Sequence, residues 1–411
     1  GPNNQWGTFP SAALAWRLSD EAALDRYDWL SDLKVRASWG VSGNQFFEDY
    51  RWISSYRYGD DLTQVQFGDE FVTTIRPSAV DPDIKWEETT SWNFGMDYGL
   101  WDNRVSGAVE YYVKNTDDLI FTVPVSAGTN LSNFVTTNIG SMRNQGVELS
   151  INSRVLDGTR GGLTWDANFN AAYNRNRLLS LNKFGGGERV PWGAISGGVG
   201  NTIQVLQPGQ SVYTFSVYRH KRGADGKPVN SDTNGNGTIE LKELYENVNG
   251  DTLVNVDDRA PFENPAPDWI LAHTSQFGFR SFDLSFALRA HLGNHVYNNV
   301  ASNQGYYGAL RGSAGLLNLH SSVLEYGFQG EQFFSDVYVE DASFLRMDNL
   351  TLGYTFSGVR GVDNARLFGT VQNVFTLTGY SGVDPEAGIG GIDNNIYPRS
   401  RTFTAGISLG F

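Results

Sequence analysis

Hydrophobic and polar residues alternate at period two along many segments of the chain, which is the pattern of β-strands with one apolar face. The last segment, residues 401–411, carries Phe403, Ala405, Ile407, Leu409 and Phe411 on one face and threonine, serine and glycine on the other. The same alternation predicts strands near residues 6–18, 33–41, 92–100, 105–113, 147–151, 165–173, 269–279, 282–288, 344–356 and 365–377. A further strand is possible at residues 212–218.

The predicted strands are long and strongly two-faced. Many reach about ten residues, whereas strands of globular proteins average about five or six. Their polar faces carry Asp, Glu, Asn, Lys and Arg, and their opposite faces are apolar or aromatic. A tilted strand of this length spans the hydrocarbon layer of a membrane, so we predict an all-β protein, an antiparallel transmembrane β-barrel. The alternative is a large soluble sandwich or propeller, but propeller strands are shorter and no blade-length repeat is visible.

Connections between the predicted strands alternate between short and long, as in outer-membrane barrels, where the long loops are extracellular. We predict one barrel domain over residues 1–411 with long extracellular loops at 43–88, 176–266, 297–342 and 378–400. The alternation requires an odd count of strands, eleven to thirteen depending on residues 212–218. The first and last strands then run in the same direction and cannot close a barrel by pairing with each other. We therefore expect further strands, N-terminal to these, outside this chain.

Composition narrows the function further. The net charge of −14 disfavours nucleic acid as a partner, because phosphates demand a basic surface. The chain has 47 glycines, 13% aromatic residues and no cysteine, which suits strands joined by irregular loops and rules out thiol chemistry. No catalytic set of residues stands out, and a G-x-S-x-G elbow on a strand–helix junction is absent from the sequence. We expect that the protein is not an enzyme.

The most specific chemical motif is D-T-N-G-N-G-T-I-E-L-K-E at residues 232–243, which matches the twelve-residue EF-hand calcium loop. Glycine at its sixth position permits the sharp turn, and oxygen-only ligands suit a hard cation such as Ca²⁺. The predicted ligands are Asp232, Asn234, Asn236, Thr238 through its carbonyl, Glu240 and Glu243. The flanking sequence does not predict a pair of helices, so a structural clamp on a long loop is favoured over a sensor. An acidic solvated turn without an ion is the alternative.

A second and weaker copy of the motif follows at residues 247–258. It has Asn247 where the first aspartate should be and Thr252 where glycine should be. Its candidate ligands are Asn247, Asn249, Asp251 and Asp258. We expect weak calcium binding here, or none.

Aromatic residues are frequent in the predicted long loops, where rings can stack on sugars or contact a partner protein. The candidates for ligand or lid contacts are Trp52, Tyr56, Tyr58, Trp192, Tyr306 and Tyr307. Packing within the loops is an equally good interpretation.

Several motifs together resemble the SusC/RagA family of TonB-dependent outer-membrane transporters. They include N-N-Q-W-G-T-F-P-S-A-A-L-A-W-R-L-S at residue 3, D-W-L-S-D-L-K-V-R-A-S-W-G-V-S-G-N-Q at residue 28 and W-E-E-T-T-S-W-N-F-G-M-D-Y-G-L at residue 86. They continue with N-I-G-S-M-R-N-Q-G-V-E-L-S-I at residue 138, F-L-R-M-D-N-L-T-L-G-Y at residue 344 and V-Q-N-V-F-T-L-T-G-Y-S-G-V-D-P-E at residue 371. The resemblance covers essentially the full chain in register.

The resemblance implies a barrel of about 22 strands closed by a plug, of which this chain matches the C-terminal part. It implies import of oligosaccharides or peptides across the outer membrane of a Gram-negative, Bacteroidota-like bacterium, with a SusD-like surface lipoprotein as lid. TonB would act through the N-terminal region, and the outer-membrane lipid would surround the barrel. Phe403 and Phe411 resemble the C-terminal signal that the barrel-assembly machinery recognises. Two alternatives remain: a soluble, calcium-stabilised β-protein that binds glycans, and a truncated barrel fragment that does not transport.

Overall fold

An antiparallel sheet of eleven strands, in sequential order along the chain, organises the molecule. The computed structural model describes residues 1–45, 47–59, 64–124, 134–159, 162–181, 189–197, 200–312, 315–356 and 361–411. The strands of this sheet are β1 (Ser11–Arg17), β2 (Leu30–Asn44), β3 (Glu87–Leu100), β4 (Val105–Pro124), β5 (Phe134–Asp157), β6 (Leu163–Leu181), β7 (Trp269–Phe279), β8 (Phe282–Leu292), β9 (Phe344–Phe356), β10 (Asn364–Thr378) and β11 (Thr402–Gly410). We call this sheet the wall.

Each strand of the wall pairs with the next one along the chain, so consecutive connections lie at opposite ends of the sheet. One end has short turns, including the two-residue connection Arg280 and Ser281 between β7 and β8. The turn between β3 and β4 has positive φ at Asp102 and Asn103, the backbone that tight hairpins require. The other end carries the long loops. Within the described residues this sheet has eleven strands, so its first and last strands run in the same direction.

The outward face of the wall is apolar between two rows of aromatic residues. Near the long-loop end, Trp39 lies 6.2 Å from Trp92 and Tyr173 lies 5.1 Å from Trp269, between ring centroids. Near the short-turn end, Phe282 lies 4.7 Å from Tyr354. Strand β7 has eleven residues, which span about 33 Å along the strand and about 25 Å once tilted by about 40°. That height matches the apolar band of an outer-membrane barrel, about 25 Å.

The inward face is polar and carries ion pairs between strands that are neighbours or are separated by one strand. Lys34 of β2 lies 3.2 Å from Asp97 of β3, and Arg366 of β10 lies 2.5 Å from Asp283 of β8. This face suits a water-lined interior.

Several strands are longer than the alternation predicts. Strands β4 and β5 reach Pro124 and Phe134, beyond the predicted strands at residues 105–113 and 147–151, and β6 reaches Leu181, within the predicted loop 176–266. Beyond the apolar band, towards the long loops, both faces of these strands carry polar and apolar side chains. The period-two alternation is therefore lost there, although the backbone pairing continues. The first strand is shorter than expected, Ser11–Arg17, and Trp6 lies outside it with 95% of its surface exposed.

The remaining short elements lie in the connections. The short strands are Tyr56–Tyr58 paired with Ile75–Pro77, Gln64–Phe67 with Glu70–Thr73, and Arg311–Gly312 with Gly315–Leu316. Two small sheets are formed by Val190–Ala194, Thr202–Leu206, Phe215–Val217 and Ala260–Phe262, and by Val339–Asp341, His295–Asn298 and Ile392–Asp393. The α-helices are Leu241–Leu244, Asn299–Gln304 and Ser322–Tyr326, and the 3-10 helices are Leu18–Asp20, Val256–Asp258, Tyr307–Leu310 and Asp336–Tyr338.

The possible strand at residues 212–218 is reduced to Phe215–Val217 and belongs to a small sheet rather than to the wall. This settles the wall at eleven strands rather than thirteen. Among the described residues, no helix has the length and apolar character that crossing a membrane requires.

Three long loops pack together into one unit, which we call the loop body: the described residues of 189–262, 294–342 and 379–400. Its buried core combines side chains from separate loops: Ile195, Ile203, Phe215, Val217, Tyr297, Ala301, Phe328, Tyr338 and Val339. Ile392 of the third loop packs against this core. The strand Tyr297–Asn298 pairs in parallel with Ile392–Asp393, which joins two of the loops through the backbone. The loop body therefore has a buried apolar core like that of a soluble domain.

Candidate functional sites in the loop body

A cavity of about 530 Å³ opens where the three loops of the loop body meet. Six amide side chains line it: Asn299, Asn303, Gln304, Asn318, Asn394 and Asn395. Ser196 of the first loop completes the polar lining. We call this site the amide cavity.

The short helix Asn299–Gln304 positions half of these amides. Buried Asn298 caps the helix, because its side-chain oxygen accepts a hydrogen bond of 2.9 Å from the backbone N–H of Ala301. The amide of Asn299, which is fully buried, contacts Ser196 and Asn394. Asn303 donates to the hydroxyl of Ser196 over 2.8 Å. The cavity lining is thus tied together across all three loops.

The polar side chains that line the amide cavity are uncharged and can both donate and accept hydrogen bonds. Each amide offers both donors and acceptors, and the described lining carries no charged side chain. Such a lining matches ligands that present neutral donors and acceptors together, namely sugar hydroxyls or peptide groups. The sequence reasoning missed this site because its residues follow no period. The signal present was the asparagine-rich composition of residues 294–304 and 394–395.

The six aromatic candidates fall into two groups. Tyr56 and Tyr58 lie on a short strand and are 72% and 80% exposed, so their rings are open to a partner. Trp192 instead packs edge-on against Phe121, with ring centroids 6.0 Å apart, and Tyr306 packs against the core of the loop body. Trp52 is half-buried and Tyr307 is 43% exposed. Their role in ligand or lid contact stays a prediction.

The first EF-hand-like loop is organised by its own carboxylates. Asp232 accepts hydrogen bonds from the backbone N–H groups of Asn234, Gly235 and Gly237, at 2.6–3.2 Å. Glu243 is 5% exposed and accepts from the N–H groups of Thr233 and Asn234 with one oxygen and from Glu240 with the other. The backbone hydrogen bond from Glu240 and the further hydrogen bonds outweigh burial and lower the pKa of Glu243 to about 2.

Two further predicted ligands extend this arrangement. Asn234 and Asn236 accept from the N–H groups two residues further on, and Asn234 donates to Glu240 over 3.3 Å. The hydroxyl of Thr238 donates a hydrogen bond to the side-chain oxygen of Asn236. The side chains at positions 1, 3, 5, 9 and 12 are therefore gathered within one loop.

The second loop repeats the hydrogen bonds of the first at a spacing of fifteen residues. Asp258, fully buried, accepts from the N–H groups of Val248 and Asn249 and, through its other oxygen, from Asn255, the counterparts of the three donors to Glu243. These hydrogen bonds, that from Asn255 first, lower the pKa of Asp258. Two further hydrogen bonds match those in the first loop: Asn247 accepts from Gly250, and Asn249 from Asp251. The repeat is thus structural as well as sequential.

The oxygen-rich donor set of the first loop fits a hard cation in its chemistry. In the part of the chain that the structure describes, no three His, Asp or Glu side chains form a group that could hold a metal by themselves. A cation would therefore depend on Asn oxygens and the Thr238 carbonyl in addition to Asp232 and Glu243. Calcium at either loop stays a prediction.

Phe403 and Phe411, the predicted assembly signal, lie at the end of the wall. Phe403 faces outward from β11 opposite Val371 and is 73% exposed, and Phe411 follows the strand and is 87% exposed. Their recognition by the assembly machinery stays a prediction.

The wall and its outward apolar band define the chain as part of an antiparallel transmembrane β-barrel. The family described as "TonB dependent receptor-like, beta-barrel" matches residues 1–374. The chain therefore belongs to this family of TonB-dependent receptors.

Curated relatives agree with this assignment. The chain is 36% identical to the TonB-dependent receptor SusC of Bacteroides thetaiotaomicron, over 100% of this chain and 40% of the relative. It is 28% identical to the TonB-dependent receptor P3 of Formosa agariphila, over 100% of this chain and 42% of that protein. The chain thus spans about two fifths of the length of the curated relatives it matches.

A solved structure of the RagAB peptide transporter shares the fold, with a TM-score of 0.78, 24% identity and coverage of 100% of this chain and 44% of that one. The SusC/RagA resemblance is confirmed, as is the all-β barrel fold. The curated relatives are TonB-dependent receptors, and membership of this family confirms that the chain is not an enzyme. The family places the chain in an outer membrane.

Proposed function

We propose that this chain forms the wall and the loop body of a TonB-dependent importer of oligosaccharides or peptides in the outer membrane of a Bacteroidota-like bacterium. The observation that carries the proposal is the amide cavity within a barrel that is 36% identical to SusC. A neutral, amide-lined cavity supplies the paired donors and acceptors that sugars and peptide groups require. The long-loop end of the wall is then extracellular and the short-turn end periplasmic.

The proposed partners follow from the same arrangement. A SusD-like surface lipoprotein would cover the long-loop end, where Tyr56 and Tyr58 are exposed. TonB would supply energy from the periplasmic side through a region that this chain does not include. The outer-membrane lipid would cover the apolar band, and the assembly machinery would insert the barrel by recognising Phe403 and Phe411.

Ligand titration of the complete gene product that contains this chain, purified in detergent, tests the proposal. The probes are a neutral linear glucose hexasaccharide and an uncharged hexapeptide. We expect one of them to bind, and the Asn303→Ala and Asn395→Ala variants to bind it at least tenfold more weakly. Asn168→Ala, which removes a half-buried asparagine nearer the opposite end of the wall, is the matched control and should bind as the unaltered protein does. Equal binding by all variants would exclude the amide cavity as the ligand site.

We also propose that Ca²⁺ binds as a structural clamp at residues 232–243 and more weakly at residues 247–258. The shared hydrogen-bond pattern of the two loops supports the proposal, since it gathers oxygen ligands at matching positions. Calcium titration followed by hydrogen exchange should protect the first loop at lower concentration than the second. Asp232→Asn should weaken the first site, and Asn247→Asp should strengthen the second. Protection that is independent of calcium in all three proteins would contradict the proposal.

A further inference from the structure

The third long loop returns onto the inward face of the wall and places two carboxylates against two arginines of adjacent strands. Arg346 of β9 donates to Asp384 over 2.8 Å, and its other terminal nitrogen lies 3.0 Å from Glu386. Arg289 of β8 donates to both oxygens of Glu386, at 2.5 and 3.1 Å. We call these residues, together with Arg399 of the same loop, the arginine clasp.

Arg399 completes the clasp from within the loop. Its guanidinium lies 2.9 Å from Asp384 and 3.1 Å from Glu386. Asp348, in a bulge of β9, lies 3.2 Å from Arg289. Three cations therefore meet three anions, and two of the anions, Asp384 and Glu386, belong to the loop.

The wall side of the clasp is unfavourable without the loop. Arg289 and Arg346 lie directly opposite each other in the register of β8 and β9, and like charges in that position destabilise a sheet. The side chain of Arg346 is only 3% exposed, so water screens its charge poorly. Its Nε makes no hydrogen bond within the described residues. Removing a loop carboxylate would leave this buried charge under-compensated, which is costly.

The same loop supplies Asn394 and Asn395 to the amide cavity. Between the clasp and these residues, Asp393 accepts a hydrogen bond of 2.8 Å from the hydroxyl of Tyr380. Its other oxygen accepts from the backbone N–H groups of Asn395 and Ile396, at 3.0 and 3.2 Å. The clasp residues at positions 384, 386 and 399 flank this segment on both sides.

We propose that the arginine clasp is the positioning device that holds Asn394 and Asn395 in the amide cavity. Arg289, Arg346 and Arg399 are thus positioning residues for ligand binding, although they do not line the cavity. The ligand-binding part of this inference rests on the proposed function, whereas the anchoring of the loop does not. The clasp makes the position of the third loop depend on charge balance at the wall.

Hydrogen exchange in the complete gene product tests the anchoring without any ligand. Glu386→Gln keeps the shape of the side chain but leaves the clasp with one uncompensated positive charge. We expect the amides of Asn395 and Ile396 to exchange at least tenfold faster in this variant. Arg399→Gln, at a half-exposed position, leaves the buried pair of Arg346 and Asp384 in place and should give a smaller increase of about threefold. Asp166→Asn, which removes an exposed ion pair with Arg154 elsewhere on the wall, should change neither amide.

A double variant separates charge balance from a mere loss of contacts. Glu386→Gln combined with Arg289→Gln restores neutrality and removes the opposed arginine pair, so its exchange should return toward that of the unaltered protein. Exchange in the double variant that is faster than in Glu386→Gln, or unchanged exchange in Glu386→Gln, would overturn the proposal.

Binding of the hexasaccharide and the hexapeptide provides the second measurement. Glu386→Gln should weaken binding of whichever probe the unaltered protein binds by about tenfold, and Asp166→Asn should not. Unchanged affinity despite faster exchange would overturn the positioning role. If the unaltered protein binds neither probe while exchange responds as expected, the anchoring is supported and the proposed function is the part that fails.

Discussion

In the wall, Phe403, Ile407 and Phe411 are 73%, 69% and 87% exposed, whereas in the loop body Phe215, Val217 and Tyr297 are fully buried. Both regions are rich in apolar residues, but the loop body buries its own in a protein core, whereas the outward face of the wall leaves many of its own exposed. The wall leaves its apolar face to the surrounding lipid, which covers it without any protein partner. The apolar side chains of one chain thus lie in two environments, lipid around the wall and a protein core in the loop body. The same kind of substitution should therefore act differently in the two regions.

The largest expected effect comes from emptying the core of the loop body. Phe215→Ala should lower the stability of the loop body by about 3–5 kcal/mol, because the cavity it leaves lies in a closely packed interior. Hydrogen exchange should accelerate in the loop body, while the wall should keep its heat-modifiable migration on gels. Equal loosening of both regions would show that they are one cooperative unit rather than two.

A charge placed on the lipid-facing side of the wall should come next. Ile407→Arg lies near the middle of β11 and should cost about 2–4 kcal/mol of unfolding free energy in lipid. Thr404→Arg, on the inward face of the same strand and opposite the uncharged Thr370, is the matched control and should cost much less. Folding into vesicles, followed by denaturant titration, measures both. A larger cost for Thr404→Arg would reverse the assignment of the two faces.

Acid should loosen the loop body before the wall, starting at the first EF-hand-like loop. The pKa of Glu243 is lowered from its usual value to about 2, so its hydrogen bonds stabilise the fold fully above about pH 4.5. That stabilisation is lost as the pH falls toward 2, when the carboxylate takes up a proton. Hydrogen exchange or NMR of residues 232–243 should show this transition, and Glu243→Gln should lack it. A transition of equal size in the variant would assign the titration to another group.

The smallest effect should come from an exposed ion pair of the wall. The side chains of Arg154 and Asp166 are 66% and 49% exposed and lie 3.1 Å apart. Arg154→Met should change the unfolding free energy by less than about 1 kcal/mol, because water and salt screen such pairs. Denaturant titration of the two proteins side by side measures it. A loss comparable to that of Phe215→Ala would mean that the inward face is far drier than its exposure indicates.

The contrast between the wall and the loop body also separates the features that the sequence predicts from those that it does not. The wall follows from alternation, since residues such as Trp92, Phe94 and Met96 must face one way and their neighbours the other. The calcium-like motifs could be recognised because their twelve positions are contiguous. The amide cavity could not be predicted, since Ser196, Asn303 and Asn394 come from three loops without a periodic pattern. For Trp192 and Tyr306 the sequence left ligand contact and loop packing equally open, and the structure packs both against other side chains.

The sequence by itself determined the strand order, the two faces of the wall and the odd number of strands, because period two and loop length are local properties. Tertiary structure decided that Phe215–Val217 join a small sheet, that three loops share one core, and that Asp384 and Glu386 reach Arg289 and Arg346. These contacts join residues far apart in the chain, the pair Arg289 and Glu386 being separated by 97 positions. Their formation depends on packing and charge balance between segments, which no single stretch of sequence records.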